Sequence, residues 1–542
     1  MRYILTIFTF FSLLLTIVYP CTDIIVGKKA SADGSIIVSH TGCGPDCRVR
    51  FIPGKTYSEG EKAPVYFGLI EINSDNLEDY GEILGYIPQV KETYGYFHSA
   101  YSQMNEHQLA IGESTISQRK ELQGNRESLK QIMSIEQTQI FALQRCKTAR
   151  EAVELIGGLM STYGFLPTCA DDGESLCIAD KNEVWIFEVF SVGADWDPSS
   201  GKDGAVWAAQ RVPDDHIAVI PNWSNIKQID ISQPDWYRTS ENYMQFAIDK
   251  GWYNPDSGMP FVWQNIYAPI PREWATGRFW LFYKTFGTPE GEYPERELDN
   301  PFDGMDPYHQ YVEPLSIYPF SFKPSKKISV QDVIAFQRQT FEGTIYDMTS
   351  DPDWYVPNKD GVMEKSPLTT PFPTKPMRQL LDINYRRNVS RGGYGMVIQV
   401  RDWLPDPVGG LYWFYLDNQY VSSYVPIYAG VQNISKAYRT YNPDKYDENS
   451  ARWLIDMADN LMYLRWQNAN KDLQEMRNPM EKSFFDAIPE IDKKASELYK
   501  EDPQKAKDFL TEFTNAKMDE SVEMFRELIK VLITKYTNNN QG

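Results

Sequence analysis

The sequence has little of what metal and phosphate chemistry require. Only five histidines occur in 542 residues; they are scattered, and no His-Glu-x-x-His pair is present, which removes the common zinc-peptidase arrangement. Gly392-Gly393 has no phosphate-loop context around it. Beyond the first twenty residues no apolar run approaches the roughly 20 residues a spanning helix needs, so no stable membrane insertion is expected. Positive charge is also short: 54 Lys+Arg stand against 74 Asp+Glu, a formal net charge of −20. Polyanions, nucleic acid included, would be repelled. Internal repeats and low-complexity tracts are absent. Aromatics are not: 14 Trp, 34 Tyr and 27 Phe within 42% hydrophobic residues supply a large core and exclude wholesale disorder.

Met1–Pro20 reads as a secretory signal, with Arg2 as the basic start and an apolar run from Tyr3 to Val18. The run is short for a membrane anchor. Pro20 departs from the small residues preferred before a cut, so the cleavage position is left open. A secreted or periplasmic protein is expected. In such a compartment Cys43 and Cys47, and Cys169 and Cys177, are close enough in sequence to pair, or they stay as thiols. The second spacing is too wide for a zinc knuckle, and neither metal nor cofactor is expected. Cys146 falls in a helix-like stretch and is expected to be buried.

Thr22–Val26 and Ser35–Ser39 are β-rich, with Asp33-Gly34 supplying turn chemistry between them. Leu109–Gly112, parts of Ser175–Val189 and Ala205–Ile220, Gly395–Val400 and Gly410–Leu416 are further strand candidates. Ser128–Gly157 has apolar residues at helical spacing. Residues 252–324, dense in Pro, Gly and aromatics, read as long ordered excursions with buried bulk, and 351–376 as a second one. From Asn449 to about Thr537 the sequence favours helices. Strands with helices followed by a helical tail predict an α+β fold.

Cys21 stands directly after the signal and at the start of a strand. Freed by cleavage, it would carry both a thiol (unperturbed pKa about 8.5) and an α-amine (about 7.7–8.0), a nucleophile with its own base. Lipid acylation of the same cysteine is the competing reading, and Pro20 weakens it as well.

The residues from Cys21 onward carry a resemblance. Cys21-Thr-Asp-Ile-Ile-Val-Gly-Lys-Lys-Ala-Ser-Ala-Asp-Gly-Ser35 resembles the opening of the cysteine dipeptidase family of N-terminal-nucleophile hydrolases, akin to secernins, penicillin V acylases and bile-salt hydrolases. Further similar motifs follow in order: Met104–Thr115, Glu174–Asp180 with Val184–Glu188, Trp207–Val219, Phe341–Met348 and Trp413–Gly430. The resemblance covers Cys21 to about Thr440. It implies a four-layer αββα sandwich and hydrolysis of dipeptides through an acyl-enzyme on Cys21. The chain then divides into a signal (1–20), a catalytic domain (21–440) and a C-terminal helical extension packed on the core (441–542).

Further site residues follow from the same resemblance. Related acylases use a side-chain amide after the central hairpin, which makes Asn222 the candidate oxyanion donor; a turn asparagine is the plainer alternative. Relatives carry an orienting Arg after the second strand, whereas Ser39 stands at that position here. His40 is the first candidate to replace it, with Arg48 and the acid Asp46 as others. Glu113 and Thr115 sit where related acylases place a substrate-side residue, and Glu113 is a candidate partner for a substrate amine. The expected partner is a dipeptide or short peptide, and homo-oligomer formation is compatible with the sequence. Two alternatives stay open: an amidohydrolase of acylated small molecules or dipeptide-releasing peptidase of the same fold, and a lipid-anchored, non-catalytic binding protein acylated at Cys21.

Overall fold

The computed structural model describes residues 21–538 apart from 43–46, 68–81, 125–127, 129, 169–171, 270–272, 288–310, 313–314, 317, 345, 384, 386–387 and 390–391. The signal, Cys43, Asp46 and Cys169 therefore lie outside the described residues.

Fourteen strands build two sheets. They are β1 (Asp23–Val26), β2 (Ile36–Gly42), β3 (Arg50–Ile52), β4 (Tyr96–His98), β5 (Met104–Asn105), β6 (Ala110–Ile116) and β7 (Gly173–Ala179). Then come β8 (Val184–Ser191), β9 (Ala205–Arg211), β10 (Ile217–Ile220), β11 (Tyr237–Thr239), β12 (Tyr394–Val400), β13 (Leu411–Leu416) and β14 (Val425–Tyr428). The six-stranded sheet runs β10-β1-β2-β12-β13-β14 and the eight-stranded sheet β11-β9-β8-β7-β6-β5-β4-β3. Neighbours are antiparallel throughout.

Local chemistry explains the first hairpin. Ile24-Ile-Val26 and Ile36-Ile-Val38 are β-branched runs that suit a pleated, buried surface. Between them Asp33 Oδ1 accepts from the Ser35 N–H (3.0 Å) and hydroxyl (2.6 Å), and Gly34 takes φ +85°, an Asx-type turn. The two sheets meet face to face where β6 crosses β1 and β2. A Cβ on Gly112 would lie 2.7 Å from Cys177 Sγ and 2.9 Å from Ser39 O, so only glycine permits that approach.

The helical stretch at 128–157 is two helices, α1 (Ile135–Arg145) and α2 (Ala149–Tyr163). The break has a stated cause: Thr148 and Glu151 form a capping box that restarts the chain as α2. Cys146 caps α1 and is buried. Both helices pack on the eight-stranded sheet, where Gly157 touches the Trp207 ring. Among its described residues the excursion at 252–324 contains two α-helices that its prolines and glycines concealed, α3 (Trp263–Tyr267) and α4 (Glu273–Phe286). Its bulk is buried as expected, including Phe279, Trp280 and Phe282.

Helix α5 (Val330–Gln337) lies against the six-stranded sheet, with Gln337 Nε2 donating to Met396 O at 3.3 Å. The C-terminal region forms α6 (Ala451–Met462), α7 (Trp466–Glu501) and α8 (Pro503–Tyr536). Helix α7 is fastened to the end of α5 by the Arg338–Glu481 fork (2.6 and 3.0 Å), and to the six-stranded sheet by Phe485 stacked on Trp413 at 3.9 Å and by Asp492 on Arg401, directly after β12. One contiguous apolar cluster runs from Ile24 to Leu532. Among the described residues no helix is long and apolar enough to cross a membrane.

Candidate active site

Cys21 lies two residues before β1 and is buried, 2% exposed. The register of β1 on β2 pairs Ile25 with Val38 and Val26 with Ile37. Continued backwards, it sets Asp23 opposite His40 and Cys21 opposite Gly42. Along this end of the hairpin, side chains replace the ladder: Ser39 Oγ accepts from Ile24 N at 3.0 Å and Thr41 Oγ1 from Thr22 N at 2.7 Å. Ser39 thus holds the strand that follows Cys21.

A guanidinium does reach Cys21, but from elsewhere. Arg278, in the middle of α4 and fully buried, donates through Nη1 to the Cys21 carbonyl and to Thr22 Oγ1 (2.6 Å). Its Nη2 donates to Pro221 O (2.7 Å) and Asn222 Oδ1 (2.8 Å). The planar fork of arginine makes such a four-acceptor bridge possible. Sequence reasoning missed Arg278. The available signal was a cation directly before the apolar run Phe279-Trp-Leu-Phe-Tyr283, since a charge beside so apolar a run is buried only with partners.

Asn222 follows β10, the strand paired with β1, and is 1% exposed. It sits at φ +65°, an unusual backbone for a residue other than glycine. Its N–H donates to Ser114 Oγ at 3.1 Å, and its Nδ2 donates to Thr115 O at 2.8 Å. With Oδ1 taken by Arg278, the amide cannot flip. One N–H of Nδ2 is committed to Thr115 and the second is the donor the group has left.

His40 is enclosed between the sheets. Its Nδ1 lies 2.7 Å from Glu113 O and 3.2 Å from Asp23 Oδ1. The Glu113 N–H also faces Nδ1, at 3.3 Å, but the carbonyl contact is the shorter, and with the proton on Nδ1 the lone pair falls on Nε2. Nε2 has no hydrogen-bond partner among the described residues and points along β2, 2.8 Å from where a Gly42 Cβ would be. That is the level of Cys21. Burial holds the imidazole below its usual pKa, against the opposing effects of the Glu113 carboxylate and carbonyl. Burial also raises the Asp23 carboxyl well above the ordinary range, with the Arg278 charge opposing.

The structure does not bring the Glu113 and Thr115 side chains to Cys21. Alternation along β6 turns Gly112 and Ser114 toward β1, β2 and Asn222, and sends residues 113 and 115 to the opposite face. There Thr115 Oγ1 donates to Glu113 Oε1 at 3.4 Å, beside Glu174 and with Glu136 of α1 nearby. Burial pushes the Glu113 carboxyl up to about 7. What β6 offers the site is main chain: the carbonyls of Glu113 and Thr115. Arg48 is buried and lines a surface cavity with Thr440, Tyr441 and Asn449, while Asp46 lies outside the described residues. Cys177 is a buried thiol, not a disulfide, with Sγ 3.9 Å from Ser39 O, and burial raises its pKa well above the usual value. Among the described residues no group of three or more His, Cys, Asp and Glu side chains is arranged to hold a metal ion.

A family model described as Peptidase family C69 matches residues 20–478. Probable dipeptidase B of Lactococcus lactis subsp. lactis (strain IL1403) is 26% identical over 490 residues, 87% of this chain and 89% of that one. Dipeptidase A of Lactobacillus helveticus is 23% identical over 441 residues, 80% of each chain. Probable dipeptidase B of Streptococcus pyogenes serotype M1 is 22% identical over 551 residues, 99% of this chain and 97% of that one.

Proposed function

Because the chain belongs to peptidase family C69, we propose that it is a cysteine-type dipeptidase, exported and activated by removal of Met1–Pro20, with Cys21 as an N-terminal nucleophile in a four-layer αββα sandwich. One observation carries the reading: a single buried guanidinium, Arg278, joins the Cys21 carbonyl to the Asn222 side chain. The thiolate of Cys21 attacks the scissile carbonyl, and the second N–H of Asn222 Nδ2 receives the developing oxyanion. The Cys21 α-amine takes the thiol proton and passes it to the leaving amine as the C–N bond breaks. Water, activated by the same amine, then cleaves the thioester and frees the first amino acid. His40 presents an unprotonated Nε2 at the level of Cys21 and orients the thiol. Arg278 fixes the strand end and the amide so that nucleophile and oxyanion donor keep their separation.

The test is the intact mass and N-terminal sequence of the exported protein, with kinetics of Cys21→Ala and Cys21→Ser. A mature chain that starts at unmodified Cys21, no activity in the alanine variant and a trace in the serine variant are expected. An acylated Cys21, any residue left before it, or full activity of Cys21→Ala would sink the mechanism. Free dipeptides are expected to be hydrolysed in preference to N-acylated or C-amidated ones; the reverse preference points to an acylase.

A further inference from the structure

Asn222 occupies an unfavourable backbone conformation, so something must hold the chain on either side of it. On the N-terminal side β10 does so through its pairing with β1. The C-terminal side, Trp223 to Ile226, belongs to no strand or helix. It is held by one carboxylate. Glu188, on β8 and fully buried, accepts from Asn225 N (2.5 Å) and Ile226 N (3.2 Å) through Oε1. Through Oε2 it accepts from Ser224 Oγ (2.6 Å) and Trp263 Nε1 (2.8 Å). Around this anchor Asn225 Nδ2 donates to Val219 O at 2.9 Å and Gln264 Nε2 donates to Ser224 O. A buried carboxylate is costly unless its lone pairs are filled, and here every donor but one comes from the loop that carries Asn222.

We infer that Glu188 is a positioning residue for the oxyanion donor: its carboxylate clamps residues 224–226 and so sets the direction of the Asn222 amide. The inference rests on the reading of Asn222 given above. Glu188→Gln is the discriminating variant. Its new NH2 group keeps the Asn225 and Ile226 bonds only by facing the Trp263 indole N–H, donor against donor, while Ser224 can turn its hydroxyl to accept.

Glu188→Gln is expected to lower kcat by about 10–100-fold with KM changed less than about threefold, because the donor is displaced only where the transition state needs it. Adding Trp263→Phe removes the opposed N–H and is expected to restore about tenfold of the loss. Ser224→Ala, a milder change that leaves the carboxylate in place, is expected to lower kcat several-fold. Folded fraction by near-UV circular dichroism accompanies each rate, and Asn222→Ala is measured in parallel. If Asn222→Ala keeps full kcat, the oxyanion reading fails and this inference with it. If Asn222→Ala is slow while Glu188→Gln and Ser224→Ala keep kcat, or lose it only in proportion to the folded fraction, Glu188 is structural and the inference alone is overturned.

Discussion

Arg278 Nη2 donates to Asn222 Oδ1 across 2.8 Å, and the other nitrogen of the same guanidinium binds the carbonyl of Cys21. One side chain therefore fixes the relative position of the two groups that the proposed reaction uses. Lysine would keep the charge and lose the fork. Arg278→Lys is expected to lower kcat at least about 100-fold and to destabilise the fold by about 2–4 kcal/mol, since buried acceptors lose their donors. Steady-state kinetics and urea unfolding check both. Wild-type kcat in the lysine variant would remove Arg278 from the site.

Asn222 allows function and strain to be separated. Asn222→Ala is expected to lower kcat by about 10²–10³, the usual cost of one oxyanion donor. Asn222→Gly should be just as slow, yet more stable than the alanine variant by about 1 kcal/mol, because glycine adopts φ +65° freely. Equal stability of the two variants would show that the backbone relaxes; retained activity in either would exclude the donor role.

His40→Asn keeps a donor near Nδ1 for the Glu113 carbonyl and removes the Nε2 acceptor. Turnover is expected to fall by about 10–100-fold, with a stability loss of about 2 kcal/mol or less. The comparison is of kcat with the denaturation midpoint. Unchanged turnover would leave His40 a core residue.

Glu113 gives a pH dependence with a definite sign. Its folded-state pKa, raised to about 7 from an ordinary 4.5, means the native protein holds an extra proton between those values. Stability then declines as pH rises from about 4.5 to about 7 and levels off above, as linkage requires. Glu113→Gln mimics the protonated acid. It is expected to match the wild type near pH 4.5 and to exceed it above pH 7, by at most about 3 kcal/mol. Unfolding midpoints of both proteins at pH 5 and pH 8.5 decide the point; parallel pH profiles would contradict it.

Much of the scaffold was legible because its signals are local. β-Branched runs flank Asp33-Gly34, and that turn forms; charged, glycine-poor sequence after Asn449 forms three helices. The surroundings of Cys21 were less readable for two physical reasons. Arg278 lies within a segment whose prolines and glycines obscure a fourteen-residue helix, and its partners are distant in sequence. On β6, all seven residues from Ala110 to Ile116 are buried, so no apolar–polar alternation indicates which face Glu113 takes. A shift of one residue would exchange the faces.

The acids of α7 have a consequence for editing the chain. Glu481 and Asp492 are the counter-ions of Arg338 and Arg401, two guanidiniums that are largely withdrawn from water in the full chain. A chain that stopped near residue 440 would lose both anions together with the cover that α7 gives these cations and the Phe485 ring stacked on Trp413. The helical tail is thus a set of neutralising ions in covalent form, and the protein is not one that can be trimmed to its sheets.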